Sequence, residues 1–101
     1  SIDYFDKVIN KNPNFAEAWN KRATAHFMMG NFDLSMQDIS KTLQLEPRHF
    51  GALDGMSLIF IHTNQFEKAI EVYDKMLEIF PNSIGTKLKK ENMLSLSTKS
   101  T

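Results

Sequence analysis

The sequence predicts an all-α protein assembled from repeated pairs of antiparallel helices, and three observations carry that prediction. The chain has three prolines, Pro13, Pro47 and Pro81, and both gaps between them are 34 residues. Shifting the chain by that distance lays apolar positions on apolar positions. Ile9, Leu43 and Leu77 align, as do Phe5, Ile39 and Tyr73, while Trp19 meets Leu53, Phe27 meets Ile61 and Phe32 meets Phe66. Within each period the apolar spacing is helical, and no stretch alternates as a half-buried strand does. A fixed period between about 20 and 50 residues marks stacked repeats, each too small to bury its own face alone.

The elements follow in order. A partial helix at 2–11 carries Phe5 and Ile9 and ends before Pro13, since the residue preceding a proline avoids helical backbone. A pair at 15–29 and 32–45 comes next. Trp19, Ala23 and His26/Phe27 trace one stripe of it, and Met36, Ile39 and Leu43 trace the other. The break at "MGNF" (29–32) supplies Gly30 where the chain must turn. A second pair at 49–62 and 66–79 repeats the plan, broken at "HTNQF" (62–66). Its stripes are Leu53, Met56/Ser57 and Phe60/Ile61, then Phe66, Ala69/Ile70, Tyr73 and Met76/Leu77. A last helix at 83–95 follows "PNS", where Asn82 or Ser83 can cap it.

These residues resemble the tetratricopeptide repeat, a 34-residue helix–turn–helix with W-x2-L-G-x2-Y in its first helix, A-x3-F in its second and a closing proline. The stretch "AEAWNKRATAHFMMGNFDLSMQDISKTLQLEP" supplies Trp19, Gly30, Phe32 and Pro47. It departs from the pattern at Arg22-Ala23, His26 and Ser35. "FGALDGMSLIFIHTNQFEKAIEVYDKMLEIFP" supplies Leu53, Phe60, Phe66, Ala69, Tyr73 and Pro81, with Met56-Ser57 in place of L-G. The first of these stretches, read on to "RHFGAL", is similar to bacterial members of the family. The resemblance implies a right-handed α-solenoid of two full repeats plus flanking helices, and a single domain over 1–101. Residues 1–13 would be the second helix of a truncated repeat, 14–47 and 48–81 the repeats, 82–96 a C-terminal capping helix and 97–101 a loose tail. The sparse apolar set of the last helix (Ile84, Leu88, Met93, Leu96) suits a cap with a polar outer face.

Composition narrows function by exclusion. Twelve basic residues balance twelve acidic ones, so no global field recruits nucleic acid or an anionic membrane. The imbalance is local: five basic against six acidic over 1–46, three against five over 47–81, and four against one over 82–101. Without cysteine there is no disulfide frame, thiolate metal site or cysteine nucleophile. The apolar run from Phe50 to Ile61 contains Asp54 and falls short of the roughly 20 residues a membrane span needs, so Gly51 and Gly55 are not a membrane packing motif. They also lack the lysine and flanking strand of a phosphate loop. A mean hydropathy of −0.35 fits a soluble domain, cytoplasmic or periplasmic, and the abrupt opening on "SIDYFDKVIN" reads as a fragment whose N-terminus is missing.

Catalysis has no residues to stand on. His26 lies on a packing stripe, His49 in the turn between repeats and His62 at a helix end, with no i, i+4 histidine pair to hold a metal. No enzyme activity, cofactor or metal is therefore expected. Arg48 and His49 precede a helix N-terminus that could attract an anion. Arg22 sits where the family has an apolar residue. It reads as structural, its stem packed and its head meeting a carboxylate such as Asp38 from the paired helix.

What remains is surface for a partner. In tetratricopeptide arrays the first helices of successive repeats line a concave groove, and the resemblance places Glu17, Asn20, Thr24, Phe27 and Met28 there. Gly51, Asp54, Gly55, Leu58 and Ile61 follow on the next first helix, with Leu88 on the last. Apolar anchors among a few polar groups suit a peptide. Some relatives grip a chaperone's C-terminal carboxylate with Lys, Asn and Arg. Here Asn20, Thr24, Asp54 and Leu58 occupy those faces with only Lys21 nearby, and an acidic residue repels a carboxylate. The expected function is a non-catalytic module binding a peptide or protein segment. The alternatives are self-association as a homo-oligomer or structural scaffold, or an accessory role in a larger protein.

Overall fold

The computed structural model describes residues 2–99, with the Lys99 side chain excepted. They form six α-helices and, among the described residues, no strand: α1 (Ile2–Lys11), α2 (Ala16–Met28), α3 (Phe32–Leu45), α4 (Phe50–His62), α5 (Phe66–Ile79) and α6 (Ile84–Lys99). None is long and apolar enough to cross a membrane.

The turns repeat as faithfully as the helices. At the end of α2, Asn31 N–H donates to His26 O at 2.9 Å and Gly30 N–H to Phe27 O at 2.9 Å, with Gly30 at φ 79°. At the end of α4, Gln65 N–H reaches Phe60 O at 2.7 Å and Asn64 N–H reaches Ile61 O at 3.0 Å, with Asn64 at φ 59°. Both are Schellman motifs, which satisfy orphan carbonyls through one left-handed residue, and glycine and asparagine tolerate that conformation best. The two left-handed residues are again 34 apart. Prolines punctuate the other junctions. α3 stops at Glu46 in extended backbone before Pro47, and α5 at Phe80 before Pro81.

Packing divides the chain into two compact units, one running to Gly55 and the other from Met56. In the first unit α2 packs against both α1 and α3. Its core holds Ile9, Ala16, Ala18, Ala23, Ile39, Ala52 and Leu53, together with the buried polar residues Ser35, Asp38 and Thr42. In the second unit α5 packs on α6 around Ile59, Ala69, Val72, Tyr73, Met76 and Met93. α6 turns Thr86 and Met93 inward, at helical spacing, and Lys90 Nζ meets Asp74 Oδ1 at 2.6 Å.

At the start of α6, Ser83 is the capping residue: its Oγ accepts from Thr86 N–H at 3.3 Å. The helix continues to Lys99, into the stretch from 97 that the sequence suggested was loose. Neither proline nor glycine interrupts that end, and Thr98 Oγ1 donates back to Ser95 O at 2.9 Å, which keeps the hydroxyl within the helical path. The last two positions, 100 and 101, lie outside the described residues.

Candidate functional site

α2 spends most of its circumference on structure. Trp19 donates its indole N–H to Pro13 O at 2.8 Å, and Arg22 and Lys41 place cations 5.1 and 5.7 Å from its ring centre. Arg22 ties three helices together. Its Nε and Nη2 donate to the two oxygens of Asp38 on α3, at 2.9 and 2.8 Å, and its Nη1 donates to Asp6 of α1 at 2.7 Å. The bidentate Asp38 contact, supported by Asp6, holds the guanidinium even further above the ordinary range at which arginine would lose its charge. Arg22 is thus the structural arginine the sequence suggested, with Asp6 as a partner that sequence spacing did not reveal. His26 packs beside this cluster, its Nε2 3.8 Å from Asp38 Oδ2 and its Nδ1 buried without a hydrogen-bond partner.

The side of α2 left over carries Glu17, Asn20, Thr24, Phe27 and Met28. Glu17, Thr24 and Met28 are exposed, Met28 at 79%, and Asn20 is half-buried. Phe27 is half-buried too, its ring 5.4 Å from that of Phe32 at the head of α3, so only part of it faces outward. Thr24 Oγ1 donates to Asn20 O at 3.1 Å.

The beginning of α4 adjoins this face through His49. Its Nδ1 accepts from Ala52 N–H at 3.0 Å, capping the helix, while its Nε2 points at Glu17 Oε1 3.7 Å away. Asn20 Nδ2 approaches the same oxygen at 3.4 Å. An N–H that an anion would need at this helix start is therefore already taken by His49. Gly51 lies under the cluster. A Cβ there would come 3.3 Å from His49 Cε1 and 3.6 Å from Asn20 Nδ2, a tight fit against side chains that can yield. Gly55 has another neighbour, Ile39 Cδ1 of α3 at 3.5 Å, where a methyl group fits in ordinary contact. Four residues span slightly more than one helical turn, so the two glycines share a face of α4 and meet different neighbours at successive levels along it. Asp54 is half-buried on α4.

The remaining candidates belong to the second unit. Leu58 is exposed at 40%, Ile61 is half-buried, and Leu88 on α6 is exposed at 55%. Most positions expected to be structural are buried or half-buried there and in the first unit: Trp19, Phe32, Leu53, Phe66, Ala69 and Tyr73. Gly30, Pro47 and Pro81 are exposed at the turns they form. Among the described residues no group of three or more histidine, aspartate or glutamate side chains is arranged to hold a metal ion.

Comparison with known proteins agrees with this geometry. Two family models described as tetratricopeptide repeat match residues 4–37 and 52–83. A TPR repeat-containing protein of Rhizobium etli is 40% identical over 95 residues, covering 94% of this chain and 46% of its own length. The Hsp70-Hsp90 organizing protein 2 of Arabidopsis thaliana is 30% identical over 83 residues, 82% of this chain and 14% of that protein. The chain thus spans less than half of the length of either relative. Among solved structures, the first TPR of Spaghetti (RPAP3) bound to the HSP90 peptide SRMEEVD superposes with a TM-score of 0.86. That match covers 96% of this chain and 79% of the other at 20% identity, which speaks for the fold alone.

Proposed function

Because the chain belongs to the tetratricopeptide repeat family, we propose that it is a non-catalytic interaction module that holds a peptide or protein segment. In the first unit the segment lies on the face of α2 and the start of α4. The observation that carries this reading is that α2 leaves Glu17, Thr24 and Met28 exposed along one stripe, with Asn20 and Phe27 half-buried between them, beside the exposed Gly51. Polar groups at one end and apolar ones at the other are what a bound peptide needs for orientation and anchorage. In the second unit Leu58 and Leu88 are exposed and Ile61 is half-buried, which makes them a separate candidate surface. The similarity to the Hsp70-Hsp90 organizing protein 2 supports protein or peptide binding as the kind of activity, and the fold is one that in another protein holds an HSP90 peptide.

Capture from a native extract, comparing the natural protein with Met28→Asp and Leu58→Asp, tests this. Both side chains are exposed, so the variants should keep their circular dichroism and lose the captured partner. Folded variants that retain every partner would exclude these faces.

A second reading is self-association through α1. Tyr4, 63% exposed, lines a depression of about 440 Å³ with Lys7, Val8, Asn10 and Lys11. The positions 34 and 68 residues on from Tyr4 and Val8 are Asp38 and Val72, and Thr42 and Met76, all of them buried. That face of α1 thus has the register of a buried surface. Sedimentation over a concentration range decides it: a tight dimer abolished by Tyr4→Ser supports this reading, and a monomer throughout removes it.

A further inference from the structure

We infer that the α2 face of the first unit selects an extended peptide in which a basic side chain stands about five residues from an apolar one. This rests on the peptide-binding reading above and specifies its ligand.

Glu17 supplies the charge. Its side chain is half exposed, and both of its contacts fall on Oε1: Asn20 at 3.4 Å and His49 at 3.7 Å. No lysine or arginine meets it. His49 Nδ1 accepts from Ala52 N–H, so that side of the ring is committed to capping α4 and only Nε2 faces Oε1. Oε2 is left to solvent or to a ligand. Lys21 is the one cation among the exposed residues of α2, and Arg48 is exposed just before His49; neither is paired with Glu17.

Met28 supplies the apolar end, with the outward part of the Phe27 ring beside it. Along a helix that rises about 1.5 Å per residue, Glu17 and Met28 are roughly 16 Å apart. An extended peptide advances about 3.3 Å per residue, so a ligand lying along α2 covers that distance in about five residues. Between the two ends, Asn20 and Thr24 offer polar groups to its backbone. A C-terminal segment such as SRMEEVD carries its negative charge where Glu17 is itself negative, and so is the wrong sign for it.

Fluorescence anisotropy with three synthetic peptides, and a spacing variant of the first, tests the inference. One is a capped peptide of about nine residues with Lys and Leu five positions apart in a Ser/Thr background. The second replaces its Lys by Glu, and the third is SRMEEVD with a free C-terminus. The Lys–Leu peptide should bind about three- to ten-fold tighter than its Glu counterpart at low ionic strength, a gap that salt narrows. Glu17→Gln on the protein should abolish that gap, and moving Lys to two positions from Leu should weaken binding. Tighter binding of the Glu peptide or SRMEEVD overturns the inference and leaves peptide binding standing. Failure of all three to bind overturns both for this face.

Discussion

Where the α2–α3 pair sets Arg22 against Asp38, the positions 34 residues on hold Met56 and Val72; where it buries Ser35 and Thr42, the later positions hold Ala69 and Met76. Ile39 is matched by Tyr73, and both are 2% exposed. The same slots are closed by ions and hydroxyls in one pair and by apolar volume in the other. Ser35 Oγ donates to Ala23 O at 2.7 Å, a cross-helix bond that Ala69 has no means to make. The difference teaches that slot size and burial specify this fold, while the chemistry filling the slots is exchangeable. It also makes the two pairs vulnerable in different ways. Apolar volume fails when it is truncated, and an ion pair fails when one member is removed.

The largest effect should come from the apolar pair. Tyr73→Ala should lower stability by about 3–5 kcal/mol, measured by urea denaturation followed by far-UV circular dichroism. Next comes Arg22→Leu, which strands Asp38 at 4% exposure and should cost about 3 kcal/mol. The sharpest test exchanges both partners for the residues of the later pair. Arg22→Met combined with Asp38→Val should stay within about 1 kcal/mol of the natural protein or exceed it. A loss as large as that of Arg22→Leu would show that the ion pair is not exchangeable. The smallest effects lie in the turns and on α4. Gly30→Ala should destabilise by about 1 kcal/mol because of its left-handed backbone, whereas Gly55→Ala should stabilise by about 0.5–1 kcal/mol.

Much of this was legible in the sequence because repetition makes it redundant. Three prolines, two left-handed turn residues and the aligned apolar positions all report one period, so α1 to α5 fall within a residue of where spacing puts them. Arg22 could be matched with Asp38 because both lie within a single pair. Asp6 could not, since nothing in spacing says how α1 crosses α2. His49 was equally hidden. A histidine in a turn becomes a cap only when the first turn of α4 aims Ala52 N–H at it, and it approaches Glu17 only through packing. Gly51 and Gly55 looked equivalent by spacing, yet they meet α2 and α3 respectively. The extension of α6 past 95 was not legible because its apolar set is sparse there, although serine and threonine tolerate a helix when their hydroxyls bond back to it.

Trp19 is the chain's single tryptophan, pinned at its N–H by Pro13 and approached by the cations of Arg22 and Lys41. An indole's emission responds to the field across its ring, and here that field comes from a guanidinium whose position α1 and α3 jointly fix. The first unit therefore contains its own chromophoric gauge, and the second unit contributes no competing indole signal. Any rearrangement that shifts α1 or α3 relative to α2 will register as a spectral change at one known residue, without a label.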